Sequence, residues 1–287
     1  MAGTRPAIAA DIEGICSLLH RRMSAEISED GWRRLMTYPW LADKPDLGAI
    51  VEDGGDIVGY LGVIYADRRR RGRDFRTGNL TSWYVEKSYR RSGIGLDLLR
   101  MATRHSDVVY TSFTPTERTL PLLRLAGLRP LDGERCVWRR SGQRPRAGLR
   151  IIAEPEHIRS SLGREGRRLL ADHAGLPVHP FLVRGATGDC LVLLSIHQDA
   201  GGGGRLEALY VEAPEVFASV AQDFADAVLP SDQIELAVDR RFLGAGPLDT
   251  QPQKIRVPRY YRPAPGVDPA DVDILYSEIE LLDLKLW

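Results

Sequence analysis

The residues best suited to chemistry lie between positions 83 and 95. Arg90-x-x-Gly93-x-Gly95, with Arg91 and Ser92 inside it, follows a strand-like run ending at Val85. It opens an apolar helix through Leu96, Leu98, Leu99 and Met101. Glycines at a helix entry let backbone N–H groups approach a ligand with no Cβ in the way. The same amides sit at the positive end of the helix dipole, so phosphate is the natural guest. Arg90 and Arg91 add charge, and Ser92 adds a hydroxyl donor. On residues alone two readings stay open, a pyrophosphate site or a glycine-rich helix entry without a ligand. A dinucleotide fingerprint needs G-x-G-x-x-G after the first strand of a βαβ unit, and a nucleoside-triphosphate loop needs Gly-Lys followed by Ser or Thr. Neither pattern is present here.

The elements that must position this loop follow from periodicity. After a short opening strand, Ile12, Ile15, Cys16, Leu19 and Met23 recur at helical spacing, with Asp11 as the expected N-cap. A second helix is expected from Ser28 through Trp32, Leu35 and Met36. Strands over 47–52 and 57–66 flank Asp53-Gly54-Gly55, a hairpin turn pattern. A third strand over 80–85 follows a polar loop carrying Arg68, Arg69, Arg70, Arg71 and Arg73. That loop reads as a solvated hairpin tip or as an anion-attracting rim. Beyond the glycine helix, 108–113 is a strand and 116–126 a helix closed by Gly127, with a last strand at 136–138. The order is ααβββαβαβ, and 141–150 reads as a linker.

The second half repeats part of this plan. Gly78-Asn79-Leu80-Thr81-Ser82-Trp83-Tyr84-Val85-Glu86 aligns with Gly204-Arg205-Leu206-Glu207-Ala208-Leu209-Tyr210-Val211-Glu212, and Gly55-Asp56-Ile57-Val58 with Gly188-Asp189-Cys190-Leu191. A helix is expected at 214–228, as one follows Gly95. Internal repetition is the simplest account. The glycine loop is not repeated: Pro214-Glu215 stands there, and an acidic helix start does not host phosphate.

Composition narrows the function further. Lys+Arg and Asp+Glu are equal at 39 each, so no overall basic character points to nucleic acid. Residues 1–150 nevertheless carry 26 basic against 18 acidic side chains, and residues 151–287 carry 13 against 21, which suggests two modules. The first suits an anionic ligand, the second a cationic one. No apolar run reaches the roughly 20 residues that span a bilayer, and Asp11 and Glu13 interrupt the only apolar stretch near the N-terminus, so no secretory leader is expected. Cys16, Cys136 and Cys190 have no zinc or disulfide spacing, and the six histidines have no ligand spacing. The expectation is a reduced cytoplasmic protein without a metal.

With this order of elements around it, Tyr84-Val85 followed by Arg90-x-x-Gly93-x-Gly95-Leu96 resembles the acyl-CoA-binding motif of the GNAT N-acyltransferase superfamily. The resemblance covers residues 1–140 directly and, through the repeat, extends to the rest as a tandem protein with a degenerate second lobe. It implies an α/β (α+β) fold of two GNAT-like lobes, each a mixed, mostly antiparallel sheet flanked by helices. The catalytic domain would be 1–140, the linker 141–150 and the degenerate domain 151–287. It also implies that backbone groups of Trp83 and Val85, around Tyr84, hold pantetheine, while the amides from Arg91 through Ser92, Gly93, Ile94 and Gly95 hold the pyrophosphate. The implied reaction is transfer of an acetyl group from acetyl-CoA, or another acyl from its CoA thioester, to the amine of a small molecule by direct attack.

The chain departs from the family pattern at the acid. Leu123 stands four residues before Gly127, where many members have a tyrosine, and Thr116 stands where asparagine is frequent. Glu86 beside the motif strand and Tyr110 on the next strand are the candidates for proton transfer. Each also reads as structural, a surface carboxylate and a packed ring. Tyr276 and Glu278, expected in the last strand, are further candidates that the sequence gives no means of placing. Trp32, Tyr38 and Trp40 fit either an acceptor site or the core. Two other functions remain, an acyl-CoA-binding sensor without turnover and an aminoacyl-tRNA-dependent transferase. A loop suited to pyrophosphate argues against the second.

Overall fold

Short polar signals start and stop the elements around the loop. In the computed structural model, which describes residues 2–90, 92–144, 146, 148–198, 203–246, 248 and 250–284, strand β1 (Gly3–Pro6) precedes helices α1 (Ile12–Arg22) and α2 (Glu29–Thr37). The Ser28 hydroxyl caps α2 by accepting from the Gly31 N–H at 3.1 Å. Asp11 occupies the position before α1 but caps nothing there. Its carboxylate takes both guanidinium nitrogens of Arg5 at 2.8 Å and the Ile8 N–H, and so ties β1 to the helix entry. Strands β2 (Gly48–Asp53) and β3 (Asp56–Arg70) meet at Gly54 and Gly55, with φ of 60° and 92°. Strand β4 (Arg73–Val85) follows, then α3 (Ile94–Ala102), β5 (Val108–Ser112), α4 (Leu120–Leu125) and β6 (Arg129–Trp138). The expected order is present, with the short opening strand ahead of it. Gly127, at φ 81°, ends α4 in the left-handed conformation that glycine adopts at lowest cost.

The long β3–β4 hairpin runs through the arginine stretch rather than ending before it. Arg76 pairs with Asp67 across the ladder and Arg69 with Asp74 at 3.1 Å. The turn is Arg71-Gly72, both with positive φ.

Farther on come β7 (Arg150–Ile152), α5 (Pro155–Ser161), α6 (Arg164–Asp172), β8 (His179–Gly185), β9 (Gly188–Gln198) and β10 (Gly204–Val211). They are followed by α7 (Pro214–Ala218), α8 (Ala221–Val228), β11 (Ile234–Asp239), β12 (Gln253–Arg262) and α9 (Glu278–Leu281). The helix expected over 214–228 is thus two, broken at Ser219 and Val220.

The chain forms two compact units whose boundaries differ from 1–140 and 151–287. The first holds Met1–Leu131 together with Val257–Asp271 and Tyr276–Leu284. The second holds Asp132–Arg256 and Val272–Leu275. Residues 132–144 thus belong with the second unit rather than with the first or a linker. In the first unit β1, β2, β3 and β4 pair antiparallel, β4 and β5 pair parallel, and β5 pairs antiparallel with β12 at Tyr260–Ser112. Helices α1 and α3 cover it with Ile15, Cys16, Leu19, Leu98 and Leu99, all fully buried. In the second unit β7, β8, β9 and β10 pair antiparallel, β10 and β11 parallel, and β11 and β6 antiparallel. Each unit is therefore a mixed, mostly antiparallel sheet with helices.

The repeat extends to an irregularity in the backbone. Between Thr81 and Tyr84 the ladder with β3 slips, opposite the step from Gly62 to Tyr60. Between Ala208 and Tyr210 the ladder with β9 slips in the same way. Aligned on the sequence repeat, the two bulges fall at the same step.

Candidate active site

A parting of two strands makes the site. β4 and β5 are paired from Arg76–Val108 to Asn79–Thr111 and no farther. The bulge that follows is set by Ser82, whose φ of 53° is left-handed for a residue with a Cβ. A bulge bends its strand and increases its twist. Leu80–Val85 therefore continues against β3 alone, while β5 ends at Ser112.

The gap holds a groove of about 530 Å³ lined by Trp83, Tyr84, Val85, Arg90, Gly93, Gly95, Leu96, Thr116, Arg118, Thr119 and Leu122. It leads into a pocket of about 160 Å³ that shares Trp83, Thr116 and Thr119. Its apolar lining comes from Met23, Leu61, Leu80 and Leu123. Thr81, Ser82, Ser112 and Thr114 line it as well. Leu123 is buried at the position of the missing tyrosine, so the pocket wall there has no acid.

The loop at the groove's end is braced from within. Arg90 donates from Nε to the Val85 carbonyl at 2.7 Å and lies 5.4 Å over the Tyr84 ring. The Ser92 hydroxyl donates to the Tyr89 carbonyl at 2.7 Å. These two side chains fix the loop rather than reach outward. Gly93 takes φ 87° as the residue before α3, and a Cβ added there would meet nothing within 4 Å. The first N–H groups of a helix have no carbonyl to bond within it. Those of Gly93, Ile94 and Gly95 therefore form an anion-compatible end to the groove. Arg91 lies outside the described residues, as do Pro145, Gly201 and Gly202.

Of the residues expected to hold the cofactor, Trp83, Tyr84, Val85, Arg90, Gly93 and Gly95 line the groove. Ser92 and Ile94 belong to the same loop but not to its wall. Thr116, named from the sequence only as the position where asparagine is frequent, lies opposite with Arg118 and Thr119, which the sequence does not single out because their stretch reads as helix. It is in fact an irregular loop in which the Thr119 hydroxyl accepts from the Thr116 N–H at 3.1 Å.

Neither expected proton-transfer residue meets this gap. Glu86 lines another cleft, of about 640 Å³, with Arg5, Asp11, Arg21, Arg22 and Tyr89, and its carboxylate is 3.4 Å from Arg22. Tyr110 is fully buried beneath Arg262, whose guanidinium lies 4.7 Å from the ring centroid. Burial raises its phenol above the usual tyrosine range. Trp32, Tyr38 and Trp40 are structural. Tyr38 accepts the Tyr65 N–H at 2.8 Å, Trp40 donates to the Tyr65 carbonyl at 2.9 Å, and their rings stack at 4.7 Å.

The returning C-terminal stretch is held by the arginine hairpin. Arg68 lies 4.4 Å over the Tyr276 ring, Arg71 is 3.4 Å from Asp271, and Arg73 donates to the Gly266 carbonyl. Arg68, Arg71 and Arg73 thus anchor this segment, while the tip of the hairpin, Arg71 to Asp74, is exposed as the solvated reading expects. Glu278 sits in the short helix α9, not in a strand. It lies within the first unit, where the Thr114 hydroxyl donates to Oε1 at 2.5 Å and the Asn79 amide donates to Oε2. Burial, the largest influence, raises its carboxyl above the usual range. Cys16, Cys136 and Cys190 are buried thiols, none in a disulfide, and burial lifts the Cys16 thiol to about 11. Among the described residues no cluster of His, Cys, Asp or Glu could hold a metal, and no helix is long and apolar enough to cross a membrane.

Residues 12–107 match the model of the acetyltransferase (GNAT) family. No curated protein sequence matches the chain. Among solved structures, a GCN5-related N-acetyltransferase from Anabaena variabilis is similar at a TM-score of 0.58 and 13% identity. The match covers 91% of this chain and 72% of that one. One from Kribbella flavida is similar at 0.57 and 14%, covering 91% and 70%. A probable N-acyltransferase from Enterococcus faecalis is similar at 0.58 and 12%, covering 91% and 72%. At such identities the likeness is one of fold.

Proposed function

We propose that this chain, whose residues 12–107 match the acetyltransferase (GNAT) family model, is a GNAT acyltransferase that transfers an acetyl group from acetyl-CoA to the amine of a small molecule. The observation that carries this reading is the gap between β4 and β5. It joins a groove ending in helix amides to a small pocket large enough for an acyl group and an attacking nitrogen. Pantetheine would lie along Trp83, Tyr84 and Val85. The pyrophosphate would rest on the Gly93, Ile94 and Gly95 amides with Arg118 opposite, where the helix dipole and the guanidinium both favour negative charge. Arg90 would act through the loop it braces.

The chemistry is direct attack. The amine nitrogen adds to the thioester carbon, the carbon–sulfur bond breaks, and the thiolate leaves carrying the electron pair. Backbone N–H groups along the bulged strand are suited to the oxygen on which charge develops. With Leu123 in the wall the thiolate takes its proton from solvent or from the acceptor, which a thiol of ordinary acidity permits. The second unit repeats the strand plan with Pro214-Glu215 at its helix start, and we read it as a degenerate lobe of a tandem protein. Buried thiols outside any disulfide fit a reducing, cytoplasmic setting. No nucleic acid, membrane or metal enters this reading.

Calorimetric titration of acetyl-CoA, with Gly93→Glu in parallel, tests it. Micromolar binding by the wild type and none by the variant is expected, followed by thiol release with a panel of primary amines. Absence of wild-type binding would overturn the acyl-CoA reading. Binding without turnover for any amine would leave a sensor.

A further inference from the structure

We infer that Glu278, brought from the far end of the sequence to the fork where β4 and β5 part, accepts the proton of the attacking amine through the Thr114 hydroxyl. This rests on the acyl-CoA reading above and assigns to the same gap the base it otherwise lacks.

Three observations place the carboxylate. Asn79 and Thr111 are the last paired residues of β4 and β5. The Thr111 hydroxyl donates to Asn79 Oδ1 at 3.1 Å, and the Asn79 amide in turn donates to Glu278 Oε2. Glu278 therefore occupies the apex of the fork. Its other oxygen, Oε1, accepts from Thr114, a residue that is itself exposed and lines the small pocket with Ser82, Ser112 and Leu123. Glu278 is 1% exposed, so its route to the pocket runs through that hydroxyl. A buried carboxylate held by two neutral donors, with no guanidinium or ammonium bonded to it among the described residues, is costly unless a proton or cation comes to it.

The charges around it favour uptake of a proton. On its own turn Glu280, with Oε1 accepting from the Tyr276 and Ser277 N–H groups, adds a like charge. On β4 and on the loop after β5 the facing groups are Asn79 and Thr114, both neutral. Helix α2, packed against α9, carries Arg33, which Glu13 holds, and Arg34, which is exposed. Arg68 on β3 is engaged over the Tyr276 ring.

The step balances. An ammonium in the pocket gives a proton to Thr114 Oγ as Thr114 passes its own to Glu278 Oε1. The freed nitrogen lone pair forms the C–N bond, the C–S bond breaks, and the second nitrogen proton goes to the departing thiolate. Products are the amide, the CoA thiol and one proton on Glu278, which returns to solvent by the same hydroxyl. Thr114 touches the amine, and Glu278 acts through it.

The test uses the full chain with Glu278→Gln, Thr114→Val and Thr114→Ser. Acetyl-CoA binding is read by calorimetry, and thiol release with an amino sugar, an amino acid and a polyamine is followed across pH. All three variants are expected to bind acetyl-CoA as the wild type does. Wild-type kcat should fall with a single proton as pH drops through the carboxyl's raised value. Glu278→Gln should lose on the order of 100-fold in kcat, with KM little changed, and should lose that acid limb. Thr114→Val should match it, and Thr114→Ser should recover most of the rate. An unchanged acid limb in Glu278→Gln, full activity in Thr114→Val, or acetyl-CoA binding with no thiol release from any of the amines would overturn the relay. Failure of the wild type to bind acetyl-CoA would instead overturn the underlying reading. Because Thr114 is exposed, its two variants decide the matter even where Glu278→Gln does not fold.

Discussion

At the residue scale, the buried carboxylate makes a statement about stability as well as chemistry. The carboxyl of Glu278 is raised in the fold, chiefly by burial, so the fold prefers it protonated. Its favourable contribution is fully present below the unfolded value of about 4.5 and is lost as pH rises through the folded value. Glu278→Gln mimics the protonated form, so at pH 8 the variant should melt above the wild type, and at pH 4 the two should coincide. Thermal melts at the two pH values decide this, and a variant less stable at pH 8 would show that the charge is favourably held. The sequence could name Glu278 but not place it, because its partners Asn79 and Thr114 are 199 and 164 residues away. Glu86 is attractive for the opposite reason, since it adjoins the motif in sequence, and Tyr110 because it lies on the strand that follows the motif helix. Alternation along a strand sends one neighbour to each face, and adjacency therefore says little about which cleft a side chain meets. Leu123, by contrast, was legible: it falls in the pocket wall where the spacing from Gly127 put it.

At the scale of elements, the glycine loop and its helix could be read because every signal is local: a strand end, two glycines and an apolar helix. The bulge could not. Ser82 carries φ 53° in a run of ordinary strand residues, and nothing in its type announces it. Its importance predicts a graded response. Ser82→Gly relieves the left-handed strain and should change stability by no more than about 1 kcal/mol. Ser82→Val places a β-branched side chain in that conformation and should cost about 1–3 kcal/mol. If the strand slips register to escape, every side chain after it changes face, and acetyl-CoA binding should be lost together with stability. A melt and a titration on each variant separate the outcomes. Full binding by a destabilised Ser82→Val would show that the gap does not depend on the bulge. The hairpin before it was misjudged in length because arginines read as loop, yet Arg76–Asp67 and Arg69–Asp74 are cross-strand pairs that a strand accommodates well.

On the scale of the molecule, the division into two modules was legible in the charge asymmetry and the repeat, but its boundary was not. Residues 257–271 and 276–284 complete the first unit, and no spacing rule ties them to a strand that ends at Ser112. Tyr276, Ile279 and Leu281 are all buried. Each such side chain is worth about 1.5–3 kcal/mol, against a total stability of about 5–15. A chain ending at residue 275 should therefore leave the first unit largely unfolded, which limited proteolysis would register as cleavage throughout residues 1–131. Protection equal to that of the full chain would contradict the assignment. The same return has a consequence for how the protein is made. β12 pairs with β5 at Tyr260 and Ser112, and at about 5–20 residues per second the ribosome needs on the order of ten to thirty seconds to travel from one to the other. Throughout that interval the nascent chain presents β5 as an open sheet edge, a template for any other strand that reaches it first. Slow codons between the two strands would lengthen the exposure, and faster translation of the same protein should raise its soluble yield.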